Sequence, residues 1–179
     1  MKRAALLFCA DVDASRFKLL KQRDQLPFLL HDQDQDSKWA DYSLEDAFRL
    51  RIMLDLINDA SKETYPGGLG PQFAQSVAGN IGVQSADVAG CRPMFWAGVI
   101  GFEGINRNDQ PEHWLVPFTG TLGGLEEAVS QEQATWAEVY SEISVPRMFL
   151  ANATRAAEYI RGRAAELGIS EGDGLECTL

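Results

Sequence analysis

Apolar and polar positions follow two different periods along this chain, a helical one first and then stretches of strand type. Ala4 to Ala10 is a short apolar run that predicts a first helix. Asp-Val-Asp-Ala at 11–14 predicts a turn, with Asp13 or Ser15 able to cap a second helix. That helix is expected over Ser15 to Gln25, with Phe17, Leu19 and Leu20 apolar and Arg16, Lys18, Lys21 and Arg23 charged, stopped by Pro27. The strongest signal is Tyr42 to Asn58. Ser43, Glu45 and Asp46 mark its start, because a serine hydroxyl accepts from free backbone N–H groups and an acid three positions on answers it. The helix begins amphipathic and ends apolar on nearly every side, the pattern of a helix wedged between two layers. Pro71 then opens a helix over 71–81, with Phe73, Ala74, Val77, Ala78 and Ile81 at helical spacing.

Beyond residue 90 the pattern changes. Met94–Ile100, His113–Phe118 and Ser144–Ala151 predict strands, the latter two at edges or strand starts because of Pro117 and Pro146. Gly101–Pro111 is expected as a loop containing an Asn-Asp turn, so the first two strands form a hairpin with a long connection. Gly123–Val129 and Gln131–Tyr140 predict one or two helices. Asn152 caps a last helix whose stripe is Ala153, Ala156, Ala157, Ile160, Ala164 and Leu167, and Gly168 is its expected stop. Glu171–Leu179 reads as an acidic tail. The expected fold class is α+β, with one part over 1–82 and a small mixed module of about three strands and two or three helices over 83–179.

Between the second helix and Tyr42 lies Phe28-Leu29-Leu30, a polar loop His31–Ser37, and a returning stretch Lys38–Tyr42. Helix, turn, basic helix ending in Leu-Pro, polar tongue, then YSLEDAFRLRIMLDLI and GGLGPQFAQSVAGNI resembles the winged helix-turn-helix of the MerR family of transcription regulators. Related domains occur in phage excisionase-like and DNA-packaging proteins. Tyr42, Ser43 and Asp46 stand where the family has Tyr/Phe-Ser/Thr-x-x-Asp after the wing. The resemblance covers about residues 3–82. It implies a DNA-binding regulator with the basic helix as recognition helix. Ser15, Arg16, Lys18 and Lys21 would meet the major groove and phosphates, Arg23 the backbone, and Lys38 and Arg49 the region of the wing. It also implies a homodimer on paired half-sites. The module beyond would then serve dimerisation or the sensing of a small-molecule or protein effector. This chain departs from the family in two places. Asp32, Asp34, Asp36 and Asp41 surround Lys38 where the wing is usually basic, and no long dimerisation helix is expected after Ile81.

Charge sharpens the contrast between the two parts. Residues 1–62 hold ten Lys/Arg against eleven Asp/Glu, whereas the rest holds six against fifteen, within a net charge of −10. Such a balance argues against non-specific coating of nucleic acid. It supports a second reading, in which the acidic surface binds a protein partner or mimics DNA. A phage-type packaging or excision accessory protein is a third. A hydrophobic fraction of 45% excludes global disorder. No apolar run approaches the roughly 20 residues of a membrane span. MKRAALLFCADVD is read as a helix of the mature protein, since Asp11 and Asp13 interrupt a short apolar run, and the protein as cytoplasmic.

Motifs of chemistry are sparse. Cys9, Cys91 and Cys177 include no CxxC and form no disulfide framework. HDQDQDS matches the first places of a calcium loop but lacks its glycine at 37, and reads as a solvated loop. His113 with Cys91 and Cys177 lacks ligand spacing. Gly67-Gly68-Leu69-Gly70 and Gly120-x-x-Gly123-Gly124 read as turn and cap glycines. Trp96, Trp114 and Trp136 read as core or interface residues, with a ligand pocket as the alternative. The expectation is therefore a protein without enzymatic activity, cofactor or metal.

Overall fold

The computed structural model describes residues 1–28, 41–57, 69–81 and 93–169. The stretch expected to form a wing, with Lys38 and His31, most of the 61–70 linker, Ser85–Arg92 with Cys91, and the tail with Cys177 lie outside the described residues. Within them the order is α1 (Arg3–Ala10), α2 (Ala14–Gln22), α3 (Leu44–Ile57), α4 (Pro71–Asn80), β1 (Phe95–Ile105), β2 (Pro111–Thr121), α5 (Leu122–Trp136), β3 (Ile143–Asn152) and α6 (Ala153–Glu166). The chain is mixed α+β, in line with its pattern.

Local chemistry sets the helix ends. Ser43 and Asp46 form a reciprocal box: the Asp46 amide donates to Ser43 Oγ at 3.0 Å and the Ser43 amide to Asp46 Oδ2 at 2.8 Å. Asn152 Oδ1 accepts from the Arg155 amide at 2.9 Å, and Gly168 closes α6 at φ 68°. Helix α2 ends at Gln22 rather than at Gln25. Asp24 takes a left-handed φ of 53°, its amide donates to Lys21 O, and the Gln25 amide donates to Leu20 O at 2.9 Å. Asp11 closes α1 in the same way at φ 56°. Asp tolerates this region better than most side chains, so both tight exits form without glycine.

Helix α3 is the centre of the helical layer. Leu44, Ala47, Phe48, Leu50, Ile52, Met53, Leu54 and Leu56 are buried on it, and it packs against α1, α4, α6 and β3. Its apolar second half thus has partners on several sides, which its all-round hydrophobicity demanded.

The sheet is antiparallel in the order β2-β1-β3. Ala97, Val99, Phe149 and Ala151 on one face join the core of α1, α3, α4 and α6. Ile100, Phe102 and Phe118 on the other face form a second core with Trp114, Val116, Leu125 and Val129 under α5. The first core takes residues from both sides of residue 82. Thr154 on α6 fastens the sheet to it, its Oγ1 accepting from the Phe95 amide at 2.8 Å.

Three expectations are changed or sharpened. The first hairpin has a short connection rather than a long one, because β1 continues through Gly101–Ile105 and β2 starts at Pro111. The two internal glycines hide the alternation, and Asn106 Oδ1 gathers the amides of Asn108 (2.8 Å) and Gln110 (3.1 Å) into a tight loop. Residues 122–136 form one helix, because Thr121 caps it across Gly123-Gly124, accepting from the Gly124 amide at 3.3 Å. Pro117 and Pro146 both sit on edge strands, Pro146 where the β1–β3 register shifts opposite Phe102.

Candidate nucleic-acid interface

Helix α2 is placed by its two buried positions, Phe17 and Leu20. With these turned inward, helical geometry turns Ser15, Lys18, Leu19 and Gln22 outward along one stripe, and all four are exposed. Arg23 is exposed next to this stripe, while Arg16 and Lys21 are half-buried at its flanks. Only Asp11, Val12 and Asp13 separate α2 from α1. The structure therefore brings Ser15, Lys18, Lys21 and Arg23 together on and around one helix.

Neighbours fix the direction of that helix. The Tyr42 ring lies edge-on to Phe17 at 6.1 Å and to Phe28 at 6.0 Å, joining α2, the chain after it and the entry to α3. The Tyr42 amide donates to Met1 O at 2.8 Å, and the terminal amine of Met1 donates back to Tyr42 O. Lys2 pairs with Asp41 at 2.8 Å, and the backbones of these two residues form a short antiparallel bridge. This lysine lowers the Asp41 carboxyl below its usual range, first by hydrogen bonding and then by charge. At the other end, Gln75 of α4 donates to Asp24 O at 3.1 Å and Leu26 O at 3.0 Å, holding the exit of α2.

Electrostatics around α2 are mixed. Asp13 caps the helix by accepting from the Arg16 amide at 2.8 Å, and the Ser15 hydroxyl donates to the same carboxylate. The Ser15 hydroxyl, then the Arg16 amide, hold Asp13 below the usual carboxyl range. Ser15 is thus engaged in its own cap. Arg16 also has a partner. Asp24 stands at the far end, so Lys18, Lys21 and Arg23 are flanked by an acid on each side.

Arg49 is turned inward. Its Nε donates to Ile81 O at 3.1 Å and its Nη2 pairs with Glu45 at 2.5 Å, tying the first half of α3 to the end of α4. Lys38 lies outside the described residues. Sequence reasoning passed over Gln22 and counted Leu19 among the apolar positions, although Gln22 is exposed and Leu19 is 44% exposed. The signal was present in the helical spacing 15, 18, 19, 22, set against Phe17 and Leu20.

The tryptophan candidates form an aromatic cluster. Trp114 stacks between Phe102 (5.5 Å) and Tyr140 (5.0 Å), with Trp136 edge-on to it at 6.2 Å. Both indole N–H groups, Trp114 at 2.9 Å and Trp136 at 2.7 Å, donate to Glu132 Oε1. Glu112 accepts from Asn106 and from the Tyr140 hydroxyl, each at 2.7 Å, which lowers the carboxyl, and the second contact raises the phenol. These rings fill one another's faces, with Trp114 and Tyr140 half-buried and Trp136 exposed. Burial raises the Cys9 thiol, the direction of an inert small hydrophobe. Among the described residues, no group of three or more His, Cys, Asp and Glu could hold a metal ion, and no helix is long and apolar enough to cross a membrane.

Compared with known proteins, the chain matches no family model, no curated protein and no solved structure.

Proposed function

We propose that this chain is a cytoplasmic, MerR-like transcriptional regulator that reads double-stranded DNA with α2 and acts as a homodimer. One observation carries the reading. A three-residue turn, opened by Asp11 in the left-handed region, delivers a helix whose outward stripe is Ser15, Lys18, Leu19 and Gln22, with Lys21 and Arg23 beside it. The chemistry of that stripe suits a major groove. Lysine reaches guanine acceptors or phosphate, glutamine pairs with adenine, and an exposed aliphatic group contacts the thymine methyl. The Tyr42 ring against Phe17 and the Gln75 contacts to Asp24 and Leu26 brace both sides of the helix.

Net charge then sets the mode of binding. With −10 overall, approach to a phosphate backbone needs a local positive surface, which Lys18, Lys21 and Arg23 would supply at the α2 face. Few phosphates are neutralised, so affinity should fall with salt at a log–log slope of only about −0.9 per contact for the few cations there. The test is fluorescence anisotropy with DNA from upstream of its own gene, across a salt series. Lys18→Ala with Lys21→Ala should weaken binding at least tenfold, on the order of 1.4 kcal/mol, and flatten the slope. Absence of sequence-specific binding, or indifference to both substitutions, overturns the proposal.

A second reading has its own support. Asp13, Asp24 and Asp41 border the α2 region, and the chain beyond residue 62 is strongly acidic. Under this reading α2 is part of a protein-binding surface. It gains if DNA binding fails while a basic protein partner protects Lys18 and Lys21 from acetylation.

A further inference from the structure

The face of the sheet that carries Ala97 and Val99 is covered by helices along β1 and β3, but β2 is left open. Pro111, His113, Leu115, Pro117 and Thr119 are all exposed there. Where the start of α4 overhangs this face, a cleft of about 420 Å³ remains. This lies within the roughly 300–1,000 Å³ range of small-molecule sites. Its walls are Leu69 and Phe73 on the helix side and Leu115, Pro146 and Phe149 on the sheet side. Phe73 is 46% exposed and Leu115 37% exposed, so apolar surface is open on both walls.

An exposed cation, Arg147, is part of the lining of this cleft. Gly101 pairs across β1 with Leu115 on one side and Arg147 on the other. A Cβ on Gly101 would stand 3.0 Å from Arg147 Cγ and 3.4 Å from Leu115 Cδ2. The glycine thus gives the Arg147 stem room to lie across the sheet. Arg147 lines the cleft and, among the described residues, its guanidinium has no hydrogen-bond or ion-pair partner. Glu103, on the same face, lies 3.4 Å from His113, which also lines the cleft, and makes no ion pair with Arg147 among the described residues. An arginine without an acidic partner beside the apolar residues Leu69, Phe73, Leu115 and Phe149 is complementary to a ligand with an apolar body and a single anionic group.

We propose that this cleft binds a small amphipathic carboxylate, with the carboxylate on Arg147 and the hydrocarbon between Phe73, Leu115 and Phe149. This site is separate from α2, and the inference does not depend on DNA binding. Octanoate is the probe, with 1-octanol as its neutral counterpart, each titrated into the full chain by calorimetry and by tryptophan fluorescence, since Trp114 also lines the cleft. Saturable binding of one octanoate per chain is expected, with octanol about tenfold weaker, the ratio that a single charge-assisted contact supplies. Arg147→Met should erase that preference, and Arg147→Lys should keep most of it. Phe73→Ala should weaken both ligands. Arg155→Met, on α6 and outside the cleft, should leave both unchanged. No saturable binding, binding of many equivalents, or an octanoate preference that survives Arg147→Met overturns the proposal.

Discussion

Arg49 offers a clean separation between a residue that holds the fold and one that touches a partner. Replacing it with Met keeps a long apolar stem and removes the guanidinium. Two interactions are lost: the hydrogen bond from Nε to Ile81 O at 3.1 Å and the pair with Glu45 at 2.5 Å. A hydrogen bond from a charged donor contributes about 1.5–3 kcal/mol net. An i,i+4 ion pair adds about 0.3–0.5 kcal/mol, and here both side chains are only about a fifth exposed, so little of it is lost to solvent. Together these give a destabilisation of about 2–3.5 kcal/mol. For a chain of this size that lowers Tm by about 4–14 °C. Thermal and urea melts measure the loss, and DNA affinity is measured well below the lowered Tm. Under the DNA-binding proposal, the expected result is a less stable protein whose folded fraction binds DNA as the wild type does. An unchanged Tm together with lost DNA affinity would refute the reasoning and return Arg49 to the interface.

Three further outcomes test other parts of the structure. Gly98→Ala should prevent folding, because a Cβ there would stand 1.8 Å from Phe149 O, a backbone atom with no way to yield, whereas Gly162→Ala on α6 meets open space. The second change should stabilise by about 0.5–1 kcal/mol through helix propensity, and equal melting curves for the two variants would contradict this assignment. Asp55 is raised above the usual carboxyl range by burial, against the lowering influence of Arg51 at 3.0 Å. The folded state therefore holds this proton more tightly than the unfolded chain, so its contribution is complete below the ordinary carboxyl pKa and is lost as pH rises through the raised value. Asp55→Asn should make Tm rise relative to wild type as pH increases from acid towards neutral, and parallel Tm profiles would exclude the effect. Finally, if Leu19 meets a thymine methyl, uracil at that position should weaken binding by about 1 kcal/mol in wild type and much less in Leu19→Ala. A uracil penalty that persists in the variant would remove Leu19 from the interface.

Helix existence was legible because each helix carries its own instructions. The Ser43/Asp46 box, the Pro71 start, and the Asn152 cap with its Gly168 stop are local chemistry, complete within a few residues. The α+β class came from the change of period after residue 90, and the edge positions of Pro117 and Pro146 from the missing N–H. The Lys18–Arg23 cluster was likewise readable as part of one helix. Strand lengths were not, since Gly101 and Gly104 have no side chain to show which face they occupy. Nor were the partners of charged groups. Nothing local distinguishes Arg49, turned in against Ile81 O, from Lys18, exposed on α2, because their surroundings come from a residue 32 positions away in one case and from solvent in the other. The cleft is wholly a tertiary product. Phe73, Leu115 and Arg147 come from three elements, and no periodicity in any one of them could bring a cation and two apolar walls to one cleft. Elements and their caps depend on near neighbours along the chain, so they could be read there. Which charges turn inward and which surface stays open were settled by packing, because burial is a property of the assembled layers.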